Sequence, residues 1–194
     1  MLQYELFDFA CPERTGGLWF WKASQLAGLG IGFTRAYELE DAPKIQTRFS
    51  RVNKDNKLRV SLVRHPCDWL ASFYASFPKR PKKGVCLIGP CPIAGFDAHV
   101  EKILDYLENP RSCIGFSIKG MFNAYKADVV VRLEDMPWAY IELLESLGVG
   151  EEYRDNVRQL KPQNVSTNLP KWNPELRKRV MKAEKEMCDE YEYF

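Results

Sequence analysis

Residues 60–73 read VSLVRHPCDWLASF and decide the fold, because they combine the end of a strand, a turn and the start of a helix. Apolar and β-branched residues predict a strand over Leu58–Val63. Pro66 follows and opens a helix predicted over residues 67–76, at a position that proline tolerates. A strand that leads through a short turn into a helix is typical of α/β folds.

The same order of strand, turn and helix recurs before and after this stretch. We predict strands over residues 4–10 and 127–133, followed by helices over residues 17–26 and 136–147, with Asp135 as the cap of the second helix. The strand at 127–133 is apolar enough to be buried on both faces, which favours a parallel sheet. Further predicted elements are helices over 96–107, 112–124 and 174–191 and a mobile, Pro/Gly-rich loop over about 78–95. The pattern therefore predicts an α/β fold with a central, mainly parallel sheet flanked by helices.

Composition limits the class of protein. The chain has 194 residues, 45% of them hydrophobic, so it can bury one substantial core, and we expect a single domain over residues 1–194. Its 28 basic and 26 acidic residues give a net charge of +2, which disfavours a generic nucleic-acid binder. The sequence has neither a recognisable secretion leader nor a run of about 20 apolar residues, so we expect a soluble cytoplasmic or otherwise intracellular protein without a membrane partner.

The six cysteines are scattered through predicted strands, helices and one loop. This spacing differs from a secreted disulfide framework and from a CxxC metal site, so we expect no metal centre. Cys86 and Cys91 are the one pair that is close enough in sequence to suggest a bond, and their pairing stays open.

The first candidate site is the segment 12–19, PERTGGLW, which follows the first predicted strand and leads into a helix. Successive N–H groups in a glycine-containing turn, together with the positive end of a helix, form a concave anion site. Arg14 would add a full charge and Thr15 a hydroxyl. The alternative is that Gly16 and Gly17 only permit a tight turn, but their position after a strand favours the anion site.

The second candidate site pairs Arg64, at the end of a strand, with Ser72, about two turns into the next helix. A helix of this phase can turn Ser72 back toward the first glycine turn, where the two side chains could hold one phosphate. In the alternative interpretation Arg64 forms an ion pair with Asp68, and Ser72 is a small residue at a helix contact. Two anion sites on neighbouring strand ends favour the phosphate interpretation.

These motifs resemble those of the sulfotransferases that use 3'-phosphoadenosine-5'-phosphosulfate (PAPS). Residues 14–17, RTGG, followed by Trp19, resemble the 5'-phosphosulfate loop of that family, and Arg64 and Ser72 within RHPCDWLASFY resemble its 3'-phosphate motif. Two later segments are also similar to the family, residues 131–149 and residues 164–193. The resemblance spans nearly the whole chain.

The resemblance implies a P-loop-like, three-layer fold and a metal-independent enzyme that moves a sulfuryl group from PAPS to a hydroxyl or amine. The product is adenosine 3',5'-bisphosphate, and the acceptor is a small molecule or carbohydrate that the sequence does not identify. The 5'-phosphosulfate would be held by Arg14, which also has the catalytic role of stabilising the leaving group, and by the turn made of Thr15, Gly16, Gly17, Leu18 and Trp19. Arg64 and Ser72 would hold the 3'-phosphate.

The chain departs from the family at the adenosine end of the donor. Glu13 is an additional residue before the loop, and the glycine-rich RKG-type segment of cytosolic members is absent. Asn164 and Ser166 are candidates to replace that segment, although residues 161–167 can equally be a solvated connection.

The catalytic base is not fixed by the sequence, because the family uses histidine in some branches and glutamate in others. The candidates are His99, in a predicted helix, and Glu40, after a possible strand; Glu13, Glu38 and Asp41 compete with Glu40. A single histidine in a helix is often a core or surface residue without a catalytic role.

Two other functions remain open. A noncatalytic module that binds a nucleotide or a partner would keep both anion sites and would need no base. A P-loop nucleotide kinase would need a lysine after the glycines and a residue that binds magnesium, and Leu18 and Trp19 stand where the lysine would be expected.

Overall fold

The computed structural model describes residues 2–4, 6–12, 15–29, 31–32, 57–76, 95–108, 118–123, 127–162 and 168–194. The chain divides into two compact units. The first, which we call the sheet unit, comprises Met1–Arg64 and Ala124–Val165; the second, the helical unit, comprises His65–Asn123 and Ser166–Phe194. The predicted single domain stays a prediction.

All of the described strands belong to the sheet unit. They are β1 (Leu2–Tyr4), β2 (Phe7–Phe9), β3 (Ile31–Gly32), β4 (Leu58–Val63) and β5 (Val129–Arg132). They form one sheet in the order β3-β1-β2-β4-β5, in which β2, β4 and β5 run parallel and β1 is antiparallel to both of its neighbours. The predicted mixed α/β class is confirmed, and β2, β4 and β5 form a three-stranded parallel part of the sheet.

The register of the parallel strands aligns their carboxyl ends. Phe9 of β2 pairs with Val60 of β4, and Val63 of β4 pairs with Arg132 of β5. One further bond continues the ladder, because the N–H of Ala10 donates to the carbonyl of Val60 at 3.2 Å. The segments that follow β2, β4 and β5 therefore leave the same edge of the sheet.

The prediction of one strand over residues 4–10 is wrong. Leu2–Tyr4 and Phe7–Phe9 are separate strands that pair antiparallel with each other, in a register that joins Leu2 to Phe9. The chain thus reverses direction inside the predicted strand. Strand propensity is similar on both sides of a tight turn, so this reversal has no clear signal in residue composition.

The helices of both units follow in chain order. They are α1 (Gly17–Leu26), α2 (Pro66–Ser76), α3 (Phe96–Glu108), α4 (Ile118–Asn123), α5 (Trp138–Ser146), α6 (Glu151–Arg158), α7 (Pro174–Ala183) and α8 (Lys185–Glu190). Helices α1, α2 and α3 match their predicted ranges to within one residue. None of the helices in the described part of the chain is long and apolar enough to cross a membrane.

Two helix predictions are wrong in detail. Helix α5 begins at Trp138, with Pro137 at its cap, because Leu133–Asp135 forms a separate 3-10 turn. Asp135 therefore does not cap α5; its carboxylate instead accepts a hydrogen bond from Arg132 Nε at 2.5 Å. The single helix predicted over 174–191 is interrupted at Glu184, which separates α7 from α8. Helix α6 was not predicted.

The core of the sheet unit forms between the sheet and helices α1, α5 and α6. The ring of Phe20 on α1 stacks on that of Phe9 in β2, with centroids 3.8 Å apart, and contacts the ring of Tyr140 on α5 at 4.5 Å. The hydroxyls of Tyr140 and Ser24 lie 2.6 Å apart inside this core. Aromatic packing and one buried polar pair thus hold α1 and α5 together.

The helical unit has its own core between α2, α3 and α7. Trp69 and Phe73 of α2 are buried and stack with ring centroids 5.0 Å apart. Ile103 of α3 and Val180 of α7 are buried as well. Helix α2, which carries Ser72, therefore packs in the core of the helical unit.

Candidate functional site

The turn between β2 and α1 is the best-defined part of the candidate site. Thr15 is fully buried, and its hydroxyl donates to the carbonyl of Pro12 at 2.6 Å. Gly16 adopts φ 90 and ψ 14, the left-handed conformation that favours glycine, and α1 starts at the next residue. The predicted glycine turn between a strand and a helix is therefore present.

Gly16 also has a close neighbour in Leu133. A Cβ atom at this position would lie 2.5 Å from Cδ1 of Leu133, the residue that follows β5. No real Cβ atom approaches another carbon this closely, so a side chain at position 16 would displace the end of the Leu133 side chain, and the backbone angle itself favours glycine. Leu133 thus connects the turn after β2 with the segment after β5.

The first turn of α1 supplies electrostatic potential for an anion. The N–H groups of Gly17, Leu18 and Trp19 precede the first intrahelical bond, which runs from Phe20 N–H to the carbonyl of Gly16 at 3.1 Å. No acidic residue occupies this first turn. A helix end with free donors and a positive dipole favours a negatively charged group.

The side chain of Trp19 belongs to the core. It is buried, its ring contacts Tyr140 edge-to-face at 5.8 Å, and its indole N–H donates to the carbonyl of Leu160 at 3.4 Å. Only the backbone of Trp19 is therefore suited to contact a ligand. The bond to Leu160 also brings the start of the segment after α6 next to the first turn of α1.

Arg64 follows β4 directly and is half-buried. Since β4 is the parallel neighbour of β2, Arg64 and the Gly16 turn both follow strand ends at one edge of the sheet. Ser72 lies in α2, in the helical unit, and is only 3% exposed. Arg64 and Ser72 therefore belong to different units, and their joint contact with one phosphate stays a prediction.

His99, a candidate base, lies in the core of the helical unit. Its side chain is fully buried on α3, with its ring 5.5 Å from that of Tyr74. Neither ring nitrogen has a hydrogen-bond partner in the described part of the chain. Burial lowers the pKa of His99 from 6.5 to about 4, so the imidazole is neutral at pH 7 and is a weak base.

Several predicted residues lie outside the described part of the chain. These are Arg14, Glu13, Glu38, Glu40, Asp41, Asn164, Ser166, Cys86, Cys91 and the loop over residues 78–94. Their assignments stay predictions.

The described cysteines are not activated nucleophiles. Burial raises the pKa of Cys11, just before the glycine turn, to about 11, and that of Cys67 to about 12. Such thiols are protonated at neutral pH and react slowly. No group of three or more metal-ligating side chains occurs among the residues that the structure describes.

Two residues that shape the site were missed in the sequence. Leu133 packs on Gly16, and Leu160 accepts the hydrogen bond from Trp19 across a separation of 141 residues. Neither leucine stands in a motif, and contacts over such separations have no local pattern. The only available signal for Leu133 was its position at the end of a predicted parallel strand.

Comparison with known proteins leaves the family of the chain open. No model of a known protein family matches it, and searches of curated proteins and of solved structures found no significant match. The functional proposal therefore depends on the local chemistry of the strand ends.

Proposed function

We propose that the chain is a sulfotransferase that binds PAPS at the carboxyl edge of β2 and β4 and transfers the sulfuryl group to a hydroxyl or amine. One observation carries this proposal: the left-handed Gly16 turn and Arg64 follow adjacent parallel strands within one compact unit. An anion-binding turn beside a cation suits a ligand that bears two separate phosphate groups.

In this proposal the 5'-phosphosulfate occupies the first turn of α1, where the N–H groups of Gly17 and Leu18 point toward it and Arg14 adds a positive charge. Arg64 binds the 3'-phosphate, and Ser72 of α2 contributes a hydroxyl. The proposed arrangement corresponds to a P-loop-like, three-layer fold, in which the Gly16 turn takes the place of the phosphate-binding loop.

The proposed reaction is an in-line transfer. The acceptor oxygen or nitrogen forms a new bond to sulfur while the bond between sulfur and the 5'-phosphate oxygen breaks. A base takes the acceptor proton, and the donors at the start of α1 stabilise the charge that develops on the leaving phosphate. Sulfuryl transfer needs less charge compensation than phosphoryl transfer, so backbone donors and arginine can supply it without a metal.

A thermal shift experiment tests the donor site. Adenosine 3',5'-bisphosphate should raise the melting temperature, whereas ATP with Mg²⁺ should have little effect. Arg64→Ala should weaken binding of the bisphosphate by about tenfold to a hundredfold, because it removes a charge-assisted contact. Arg59→Ala, in the same strand but near its opposite end, is the matched control and should bind normally.

Two results would contradict the proposal. The first is a larger shift with ATP and Mg²⁺ than with the bisphosphate. The second is equal binding of the bisphosphate by Arg64→Ala and by the wild type when both are folded.

A noncatalytic nucleotide-binding module is the second candidate. It is favoured by the position of His99, because a fully buried, neutral imidazole is poorly suited to accept a proton from a bound acceptor. Transfer of labelled sulfate from PAPS to carbohydrate, phenol, lipid and peptide acceptors separates the two functions. Bisphosphate binding without transfer to any of them would favour the noncatalytic module.

A further inference from the structure

The helical unit carries a groove on α7 and α8, and no residue of the proposed donor site lines it. It has a volume of about 490 Å³ and is lined by Lys178, Met181, Lys182, Lys185, Asp189 and Phe194. This volume falls within the range of pockets that take small molecules or inserted side chains, about 300–1,000 Å³.

The apolar part of the groove consists of Met181 and Phe194. Phe194 is 75% exposed, and Met181 is half-buried, with its sulfur 3.9 Å from the sulfur of Cys188. An exposed phenylalanine beside a flexible thioether is an unfavourable surface in water and a favourable contact for another apolar group. The groove therefore offers a binding position for one large apolar side chain.

The rim of the groove is basic. Lys178, Lys182 and Lys185 follow one another at spacings of four and three residues, which brings them to one side of α7 and the start of α8. Lys185 pairs with Asp189 at 2.5 Å and lies 5.6 Å from the ring centroid of Phe194. Lys178 and Lys182 form no ion pair with any other residue in the described ranges, so two cations remain for a partner.

We propose that this groove docks an acidic segment of another protein. The segment inserts one large apolar side chain between Met181 and Phe194 and places carboxylates against Lys178 and Lys182. This interaction surface shares no residue with the proposed PAPS site. The lysines favour a negatively charged partner, and Met181 and Phe194 favour an apolar side chain as its central contact.

A peptide fits this surface better than a membrane or a nucleic acid. Among the described residues the groove has only two apolar lining residues, Met181 and Phe194, which suffices to hold one side chain, whereas stable insertion into a lipid surface requires a larger apolar area. Asp189 pairs with Lys185 on the rim, so of these lining residues only Lys178 and Lys182 are left to contact an anion, too few for a continuous anionic surface or a phosphate backbone. A peptide can instead place its carboxylates opposite Lys178 and Lys182 and leave the position near Asp189 neutral.

Fluorescence anisotropy with labelled peptides tests the proposal. The probes are heptapeptides in which three glutamates flank a central leucine, phenylalanine or tryptophan on each side, and the negative probe has a central serine. At least one apolar probe should bind with a Kd below about 100 µM. Lys182→Glu and Phe194→Ser should each weaken that binding by at least about tenfold.

Lys102→Glu is the matched control, because it makes the same charge change on an exposed position of α3 in the same unit. It should leave peptide binding within about twofold of the wild type. All of these side chains are exposed, so each variant should fold, and circular dichroism checks this directly.

Several outcomes would overturn the proposal. They are the absence of binding by every acidic probe up to about 1 mM, equal binding by Lys182→Glu and the wild type, and equal binding of the serine probe. Preferential binding of anionic lipid vesicles or RNA at the same residues would replace the peptide with another partner. Concentration-dependent dimerisation that Lys182→Glu abolishes would assign the groove to a second copy of the chain.

Discussion

At the scale of single residues, Gly16 is the position at which backbone and packing requirements coincide. Gly16→Ala should destabilise the protein by about 2–4 kcal/mol, because alanine is strained at φ 90 and its Cβ would overlap Cδ1 of Leu133. Urea denaturation measures this change. The variant should also lose affinity for adenosine 3',5'-bisphosphate if the turn binds phosphate.

Gly148→Ala separates the backbone strain from the overlap with Leu133. Gly148 also has a positive φ, of 77, but a Cβ atom added there would have no atom within 4 Å. This substitution should cost only about 1 kcal/mol. In the Leu133→Ala background, Gly16→Ala should cost less than in the wild type, since the overlap is removed. Equal costs for Gly16→Ala and Gly148→Ala in the wild type would show that the contact with Leu133 relaxes freely.

His99 gives a second prediction at the same scale, on pH dependence. In the unfolded chain its imidazole binds a proton below pH 6.5, whereas in the folded protein it stays neutral down to about pH 4. The unfolded state therefore binds more protons over this interval, and stability falls as the pH falls. The contribution of His99 is at most about 3 kcal/mol between pH 7 and pH 4.

His99→Phe removes the titrating group and keeps a ring beside Tyr74. Its free energy of unfolding should decline less steeply between pH 6.5 and pH 4 than that of the wild type, as measured by urea titrations at several pH values. Curves that stay parallel would mean that His99 is not buried as a neutral group. Loss of sulfuryl transfer in this variant, with bisphosphate binding unchanged, would support the role of His99 as the base.

The comparison between sequence and structure at this scale depends on whether a residue acts locally. Thr15 and Gly16 were predicted to form a turn because the requirement for glycine after a strand is a local one. Leu133 and Leu160 were missed because their contacts with Gly16 and Trp19 depend on the path of the whole chain.

At the scale of elements, the helices predicted with accurate bounds had a strong signal at their first residues. Helix α1 follows a Gly-Gly turn, and α2 starts at Pro66, so each beginning has a physical cause that the sequence displays. Helices α7 and α8 were predicted as one, because residues 174–191 include neither glycine nor a second proline inside the run. Their separation depends on Glu184, whose partners come from a distant segment.

Glu184 connects the junction of α7 and α8 to the start of α4. Its buried carboxylate accepts hydrogen bonds from the N–H groups of Ile118 at 2.7 Å and Lys119 at 3.0 Å. Glu184→Ala should destabilise the protein by about 2–3 kcal/mol, because the buried N–H of Ile118 and the half-buried N–H of Lys119 lose their acceptor. Hydrogen exchange of the Ile118 and Lys119 amides should become faster, which gives a local readout.

Glu184→Gln should have a smaller effect, since its amide oxygen still accepts one of the two bonds. Glu186→Gln is the control: Glu186 contacts the Lys119 side chain at 2.7 Å on the surface, and exposed pairs contribute little. A loss for Glu186→Gln that matches Glu184→Ala would mean that the surface ion pair, not the buried cap, holds α4.

At the scale of the whole molecule, alternation of strands and helices predicted the mixed α/β class and the parallel alignment of β2, β4 and β5. It did not predict the two compact units, because the first of their three boundaries along the chain lies between Arg64 and His65, inside the segment 60–73. Strand β4 and helix α2 are joined by only two residues, so the local sequence pattern does not show that they pack in different units.

Ser72 is a proposed contact of the 3'-phosphate and lies on α2, which leads to a prediction for hydrogen exchange. Adenosine 3',5'-bisphosphate should slow exchange at the start of α1 in the sheet unit and also in α2, which carries Ser72. Adenosine 5'-monophosphate lacks the 3'-phosphate and should protect the start of α1 with much less effect on α2. Ser72→Ala should remove the additional protection of α2 while keeping that of α1.

Since Ser72 is only 3% exposed, this experiment is a demanding test of its assignment. If the bisphosphate protects α1 and leaves α2 unchanged, Ser72 is a packing residue and Arg64 binds the 3'-phosphate without it. If neither helix is protected at saturating bisphosphate, the carboxyl edge of β2 and β4 is not the donor site. Protection of both helices, lost at α2 alone in Ser72→Ala, would support a contact between Ser72 and the 3'-phosphate, because only the 3'-phosphate distinguishes the two nucleotides.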